Sequence, residues 1–172
     1  MTKRGESMAA VDAAYAEFVT ARWAALFRTA YLLTGQHPDA EDLLQTALVK
    51  VYASWRRVSG ADSPEAYVPT IVVNTFLSSK RGRRLDLTGH FNASLPAYEA
   101  DTVDRLDLWE LVKTLPPRQR AVIVLRFYED LSEQQIAVTL GCSAGTVKSQ
   151  THDALSALRG RLHDAEQEGL PR

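Results

Sequence analysis

The most constraining feature of this chain is the stretch from Asp130 to Ser149, where the signals for two short helices and a tight turn follow in order. Ser132 and Gln135 have the spacing of a capping box, which predicts the start of one helix. Gly141 predicts its end, because glycine readily takes the positive φ of a tight helix exit. Ser143 can accept from the first amides of a second helix that follows at once. The stretch therefore predicts a helix-turn-helix, whose second helix often reads DNA.

The other residues of this stretch and of the helix beyond it divide into an apolar set and a polar set. The apolar residues recur at helical spacing and should face a core. The polar ones open the second helix, where they could meet a DNA groove. An ordinary helical hairpin with a glycine turn has the same spacing, so that alternative stays open here. The apolar set is Ile136, Ala137, Leu140, Val147, Leu155 and Leu158, and the polar set is Gly145, Thr146, Lys148, Ser149 and Gln150.

Composition bounds the class of protein. With 172 residues, 45% of them hydrophobic, the chain can bury one sizeable core or two small ones. Its single cysteine, Cys142, excludes an internal disulfide and provides no thiolate metal site, which indicates a reducing compartment. Residues 1–10 lack the apolar core of a signal peptide, and no apolar run approaches the ~20 residues that span a bilayer. We expect a cytoplasmic protein.

The distribution of charge predicts two modules. A formal net charge of -1 argues against a protein that coats DNA unaided, since phosphate neutralisation supplies most non-specific affinity. Residues 1–84 carry eleven basic and eight acidic side chains, and residues 111–172 carry eight and seven. Between them, residues 85–110 carry six acidic side chains and one basic one. Glycine, asparagine, serine and proline in this acidic segment are typical of a linker.

Hydrophobic periodicity predicts three helices in the first module. One runs from about residue 11 to 33, and a second runs from Pro38 to Trp55 with the proline at a first helical position. A third should start at the cap Ser63 and run towards Arg84. Pro69 falls inside this third helix, where it removes an amide, so we expect a kink or a late helix start.

Two apolar runs, Ile71 to Val73 and Val122 to Leu125, could each form a buried strand by propensity. No hairpin turn signal flanks either run, and the neighbouring segments have helical periodicity, so both are interpreted as helix. The predicted fold is all-α. It consists of two small helical domains joined by a flexible acidic linker, and the second domain contains the helix-turn-helix.

Two blocks of short motifs lie on these helices, and their order and separation are specific. The first block comprises Ala30 to Gly35, Asp39 to Gln45, and Ala66 to Val68 through Asn74 to the basic cluster Lys80 to Arg84; the second comprises Leu115 to Arg120, Leu125 to Ser132, and Gly145 to Ser149. In both content and order they resemble the extracytoplasmic-function (ECF, group 4) class of the sigma-70 family of bacterial RNA polymerase sigma factors. The resemblance covers nearly all of the chain from Phe18 to Leu162 except the linker.

The resemblance implies a factor that binds core RNA polymerase and directs promoter-specific initiation by recognising -10 and -35 elements. It implies promoter DNA as a partner, double-stranded at -35 and single-stranded at -10, and an anti-sigma factor as a regulator. It implies no enzymatic activity, cofactor or metal. The expected divisions are a flexible N-terminus at 1–10, a region 2-like domain at 11–84, the linker at 85–106, a region 4-like domain at 107–163 and a C-terminal tail at 164–172.

By the same resemblance, polymerase binding falls on Asp39, Asp42 and Gln45, which lie three residues apart on one face of the second helix. Judged from the residues alone, acids near a helix start could simply complement the helix dipole.

Contacts to the -10 element fall on the third helix and the loop before it. Asn74 can hydrogen-bond a base edge, and the basic cluster can bind phosphates, although such a cluster is also an ordinary solvated helix end. Tyr67 and Phe76 could stack on an unpaired base or could pack in the core. The candidate residues are Ser63, Tyr67, Asn74, Ser78, Lys80, Arg81, Arg83 and Arg84.

Contacts to the -35 element fall on the helix-turn-helix. Lys148 is expected at phosphate and Gln150 at a base edge, because glutamine can form two hydrogen bonds with adenine. Many relatives carry arginine at the position of Gln150, and Asp153 would repel phosphate, so either an atypical -35 sequence or a weaker dependence on the -35 element is expected. Arg120, like Arg118 and Arg126, is a candidate for contact with the DNA backbone. The candidate -35 residues are Arg118, Arg126, Ser143, Gly145, Thr146, Lys148, Ser149, Gln150 and His152.

The sequence disfavours two other classes of function. A stand-alone helix-turn-helix regulator would bind duplex DNA tightly without polymerase, which the near-neutral charge disfavours. An enzyme is disfavoured because the sequence contains no Gly-rich phosphate loop or nucleophile elbow, and its histidines lack a metal-ligand spacing. These histidines are His37, His90, His152 and His163.

Overall fold

A computed structural model gives the fold and describes residues 2–81 and 109–168, with side chains for residues 8–80 and 109–164. The described residues form helices and turns without strands, which confirms the all-α prediction. We call residues 2–81 the N-terminal unit and residues 109–168 the C-terminal unit. The helices are α1 (Thr2–Thr34), α2 (His37–Ala53), α3 (Trp55–Ser59), α4 (Pro64–Arg81), α5 (Pro117–Ile123), a π-helical segment (Val124–Tyr128), α6 (Glu133–Leu140) and α7 (Ala144–Glu168); residues 109–113 are also helical.

Helix α1 begins earlier than the periodicity indicated. It starts at Thr2 and therefore includes residues 2–10, which the sequence analysis assigned to a flexible N-terminus. Alanines at positions 9, 10, 13, 14 and 16 favour helix without contributing a clear apolar stripe, so the helix extends beyond the apolar pattern. At its other end, Gly35 takes a φ of 83° and donates its amide to the Tyr31 carbonyl at 2.7 Å, which closes the helix.

Helix α2 is the central helix of the N-terminal unit. Pro38 occupies its first turn as expected, and its apolar face is buried against α1 and α4. The helix stops at Ala53, and Trp55 belongs to the short α3. Tyr52, in the last turn of α2, is 46% exposed. Its hydroxyl donates to Asp12 Oδ1 at 2.7 Å, so the ring lies along the outside of α1.

Helix α4 starts at Pro64, so the late start considered for it does not occur. Ser63 Oγ accepts from the Ala66 amide at 3.3 Å, as an N-terminal cap should. Pro69 is buried inside the helix and cannot donate to the carbonyl one turn back. Val68, Val72, Val73 and Phe76 form the buried face, which confirms helix rather than strand for the run from Ile71 to Val73.

The helix-turn-helix is confirmed in detail. Ser132 Oγ accepts from the Gln135 amide at 3.2 Å, and Gln135 Oε1 accepts from the Ser132 amide at 2.8 Å, which completes the capping box. Gly141 takes a left-handed φ of 61° at the end of α6. Ser143 Oγ accepts from the Thr146 amide at 3.0 Å and caps α7.

The buried core does not stop at the boundary between the two units. One cluster of buried apolar side chains joins α1, α2 and α4 of the N-terminal unit to α5, the π-helical segment and α6 of the C-terminal unit. A second, smaller cluster belongs to the C-terminal unit alone and consists of Val112, Leu115, Ile123, Ala154 and Leu158. The two units therefore pack directly on each other, which the sequence did not predict.

Two glycines provide a matched test of the turn. Gly141→Ala should lower the free energy of unfolding by about 1–2 kcal/mol, because a side chain disfavours a left-handed φ. Gly160→Ala, within α7, should raise it by roughly 1 kcal/mol through helix propensity. An added Cβ meets no atom within 4 Å at either position, so neither effect is a clash. Chemical denaturation measures both, and equal effects at the two positions would contradict the turn geometry.

Candidate nucleic-acid interface

The first turns of α7 present a polar surface. Ser143, Gly145, Lys148 and Ser149 are exposed, His152 is exposed one turn further on, and Thr146 and Gln150 are half-buried. Val147 is fully buried and fixes the opposite side of the helix on the core. The Ser143 and Thr146 hydroxyls lie 2.9 Å apart, and the Ser149 hydroxyl donates to the Thr146 carbonyl at 3.1 Å. Among the polar residues in the first turns of α7, Lys148 and Gln150 have the longest side chains.

Three arginines expected at the DNA backbone are turned towards the protein. Arg118 donates to the Leu140 carbonyl at 3.3 Å, which ties α5 to the end of α6. Arg126 donates to the Leu131 carbonyl at 3.0 Å. Both side chains are half-buried, and these hydrogen bonds hold the helix-turn-helix in position.

Arg120 lies at the contact between the units, which corrects its expected place at phosphate. Its guanidinium donates to the carbonyls of Lys113 and Leu115 in its own unit and to the Leu33 carbonyl of α1. It also lies over the Phe76 ring of α4, 5.9 Å from the centroid. Burial lowers the pKa of Arg120, and its Nε is buried without a hydrogen-bond partner.

The expected -10 residues lie along α4 and the loop before it. Ser63, Tyr67, Asn74, Ser78 and Lys80 are all exposed. Arg81 is the last residue of α4, while Arg83 and Arg84 lie outside the described residues. The Phe76 ring is only 1% exposed, so of the two aromatic candidates Tyr67 alone remains at the surface, 36% exposed.

A cleft of about 660 Å³ separates this face of α4 from the helix-turn-helix. One wall contains Ser63, Tyr67 and Asn74, three of the expected -10 residues. The other wall is the outer side of α6, including Gln134 and Val138, and Val138 is 84% exposed. The face proposed for one DNA element is thus directly opposite the motif proposed for the other.

The expected polymerase-binding residues lie on α2 away from that cleft. Asp39 and Asp42 are exposed, and Gln45 is half-buried. The two aspartates line a second, smaller cleft of about 370 Å³ together with Lys80 of α4. The acidic face and the basic end of α4 are therefore adjacent.

A half-buried carboxylate, not foreseen from the sequence, connects the units. Glu129 follows the π-helical segment, and its Oε1 accepts a hydrogen bond from the hydroxyl of Thr29 on α1. Burial raises the pKa of the Glu129 carboxyl, while the Thr29 hydrogen bond and the charge of Arg22 lower it. Arg22 also pairs with Glu65 at 3.6 Å. The raised pKa indicates that desolvation outweighs the two favourable interactions.

In the described part of the chain, no group of three or more His, Cys, Asp or Glu side chains is placed to hold a metal ion. Within residues 2–81 and 109–168, no helix combines the length and apolarity needed to cross a bilayer.

Comparison with known families finds two matches, in the order in which the units occur. Residues 18–85 match Sigma-70 region 2, and residues 105–158 match Sigma-70, region 4. The first match covers the second half of α1 and all of α2 to α4, and the second contains α5, α6 and α7 as far as residue 158.

Relatives match over most of their length. The chain is 38% identical to the RNA polymerase sigma-E factor of Streptomyces avermitilis over 88% of this chain and 87% of that protein. It is 32% identical to the ECF RNA polymerase sigma factor SigL of Mycobacterium tuberculosis over 82% and 84%. Among solved structures, the sigma factor RpoE of Bartonella quintana in complex with the anti-sigma factor NepR matches with a TM-score of 0.67 and 30% identity, covering 87% of this chain and 96% of that one.

The half-buried Glu129 carboxylate predicts a specific pH dependence of stability. Because the folded state raises the pKa of Glu129, the charged form is penalised at pH 7, and the penalty disappears as the pH falls through the raised pKa. Glu129→Gln removes the charge and keeps an oxygen that can accept from Thr29. It should therefore be more stable than the parent at pH 7, with a difference that shrinks on acidification.

Denaturation at a series of pH values from 7 towards 4 measures that difference. Glu17→Gln, on an exposed part of α1, is the matched control and should show no such trend. A stability difference for Glu129→Gln that stays constant across the series would contradict the assignment.

Proposed function

Because the chain belongs to the ECF class of the sigma-70 family of RNA polymerase sigma factors, we propose that it binds core RNA polymerase and directs it to promoters with -10 and -35 elements. The observation that carries this proposal is the order of the two matched regions in one chain, each with a polar face turned to solvent. The polymerase supplies the chemistry of RNA synthesis. The chain supplies promoter recognition, and its site of action is the cytoplasm, where the polymerase is.

The N-terminal unit carries two of the proposed functions on different helices. Polymerase binds the face of α2 that carries Asp39, Asp42 and Gln45. This face lies outside the cleft between α4 and α6, which supports the assignment because a protein partner can approach it. Asn74 and Ser78 on α4 contact an unpaired strand at the -10 element, with Tyr67 as a stacking platform. The phosphate contacts come from the basic end of the same helix, Lys80, Arg81, Arg83 and Arg84.

The C-terminal unit reads the -35 element in the major groove through α7. Lys148 neutralises a phosphate, while Ser149 and Gln150 face base edges, and Gln150 can pair with adenine. Ser143, Gly145 and Thr146 bring the start of α7 close to the backbone, where helix amides favour phosphate. Arg118 and Arg126 act by holding α5 and α6 in place, given that they donate to protein carbonyls.

An anti-sigma factor is proposed as the regulatory partner. The support is the likeness to the Bartonella quintana sigma factor, which was solved in complex with the anti-sigma factor NepR. A second structure, of CnrH with the cytosolic domain of CnrY, matches with 21% identity and a TM-score of 0.59 and supports the fold alone.

The polymerase-binding assignment predicts the effect of removing two charges. The purified chain should bind core polymerase and initiate specifically on a promoter library, and the double variant Asp39→Asn with Asp42→Asn should bind on the order of tenfold more weakly. Glu17→Gln removes one exposed acid from α1 and should leave binding unchanged. Affinity is measured by titration of fluorescently labelled chain with core polymerase.

Failure of the parent chain to bind polymerase or to initiate would overturn the proposed function. Tight, sequence-specific binding to duplex DNA without polymerase in a gel shift would instead establish a stand-alone regulator.

The DNA-reading assignment predicts different effects for Lys148 and Gln150, one on affinity for DNA and the other on base preference. Lys148→Ala should weaken the holoenzyme on all promoters alike and reduce the salt dependence of binding by about one phosphate contact. Gln150→Ala should relax preference at one base pair of the -35 element, at a cost of about 1–3 kcal/mol. Ser156→Ala, exposed two turns further along α7, is the control. The assignment would be reversed if Lys148→Ala relaxed the base preference and Gln150→Ala weakened binding to all promoters alike.

A further inference from the structure

We propose that Asp153 of α7 is a specificity-determining residue that selects cytosine at one base pair of the -35 element. This role deepens the proposed function and rests on it, because α7 must lie in the major groove for Asp153 to reach a base. The charges and hydrogen bonds along the exposed face of α7 carry the proposal.

The buried side of α7 determines which of its residues can face DNA. Val147, Ala154 and Leu158 are at most 5% exposed and pack on the core. At 3.6 residues per turn, Ser149 lies about 200° and Asp153 about 240° around the helix axis from Val147. Both are exposed, and both lie within roughly 60° of the direction that points straight away from the core.

The basic groups of this face lie to one side of that direction. Lys148 lies about 100° and His152 about 140° around the helix axis from Val147. Asp153 is therefore on the opposite side of Ser149 from Lys148. A helix that turns Lys148 towards the phosphates of one strand turns Asp153 towards the floor of the major groove, where the base edges lie.

The Asp153 carboxylate has no cation beside it in the described part of the chain. It takes part in none of the ion pairs between described residues. Close to DNA, such a carboxylate is repelled by the phosphates, and it lowers the affinity unless a hydrogen-bond donor on the DNA compensates it. Because phosphate oxygens are acceptors, that donor must belong to a base.

Ser149, the neighbour of Asp153 on the exposed face, also presents an acceptor. Its hydroxyl donates to the Thr146 carbonyl at 3.1 Å, so its proton is engaged and its lone pairs remain for a partner. Four residues separate Ser149 from Asp153, or about 6 Å at 1.5 Å per residue, which is close to two base-pair steps of about 3.4 Å. The two acceptors therefore face different base pairs, and each requires a donor there.

Cytosine is the base that best meets this requirement at Asp153. In the major groove, only cytosine and adenine present a hydrogen-bond donor, which is the exocyclic amino group. Adenine presents the N7 acceptor beside its amino group, and N7 repels the second oxygen of a carboxylate, whereas cytosine presents the N4 amino group alone. Guanine presents two acceptors, and thymine presents one acceptor and a methyl group, so both leave the Asp153 charge without a partner.

Substitutions of Asp153 in the full-length chain distinguish base selection from simple repulsion. Holoenzyme with the parent chain should initiate from a promoter library with cytosine preferred by about tenfold at one -35 position, the usual effect of one mismatched base pair. Asp153→Ala should lose the preference at that position alone. Asp153→Asn should shift it to adenine, because asparagine can pair with adenine N6 and N7. Asp164→Ala, at an exposed position about three turns further along α7, removes the same charge and should change no base preference.

Two results would overturn the role of Asp153. One is a parent chain that prefers cytosine at no -35 position. The other is stronger initiation by both Asp153→Ala and Asp153→Asn from every sequence alike, because that result assigns Asp153 only a repulsive charge. Affinity for core polymerase, measured by titration with labelled chain, should be the same for the parent and all variants, since Asp153 forms no ion pair with a described residue.

Failure of the proposed function is a separate outcome. If the parent chain does not bind core polymerase, that function is wrong, and selection of random duplexes by the free full-length chain at low salt measures the base preference directly. A cytosine preference that Asp153→Ala removes would retain the role of Asp153 in a stand-alone regulator. Absence of that preference would overturn the role of Asp153 as well.

Discussion

The continuous burial of apolar side chains from α4 into α5 and the π-helical segment determines how the rest of the molecule is arranged. Val122, Val124 and Leu125 belong to the same buried cluster as Phe76 and Leu33. Removing apolar surface from water is the dominant favourable term in such packing, at roughly 25 cal/mol per Å². The cluster places polar groups of the two units opposite each other, and those groups then need partners. The Thr29 and Arg120 hydrogen bonds meet that need across the boundary.

Local signals in the sequence predicted local structure well. The capping box of Ser132 and Gln135, the turn at Gly141 and the first-turn proline at Pro38 each specify backbone geometry through neighbouring residues alone, and each is present. The start of α1 was placed late because alanine favours helix without marking a face. The π-helical turn was not foreseen, since hydrophobic periodicity reports a face and is insensitive to one extra residue.

The contact between the units could not be derived from these signals. Arg120 lies in the same basic run as Arg118, and nothing in the residue type separates an arginine that caps a distant helix from one that binds phosphate. Glu129 likewise follows an apolar run that predicts burial without naming a partner 100 residues earlier in the chain. The faces proposed for polymerase and DNA were easier to predict from the sequence than the contact between the units, because polar residues that alternate with apolar ones at helical spacing mark an exposed face. The exposed Asp39, Asp42, Asn74 and Lys148 follow that rule.

Pro69 gives helix α4 an uneven stiffness. Because proline has no amide hydrogen, the Glu65 carbonyl lacks its usual partner, and the first turn is joined to the remainder of the helix by one bond fewer. Tyr67 precedes this point and Asn74 follows it by more than a turn, so the two residues sit on segments that can tilt relative to each other at low energetic cost. Under the proposed function, both residues contact an unpaired strand, and such a tilt would let these two contacts adjust to the strand separately.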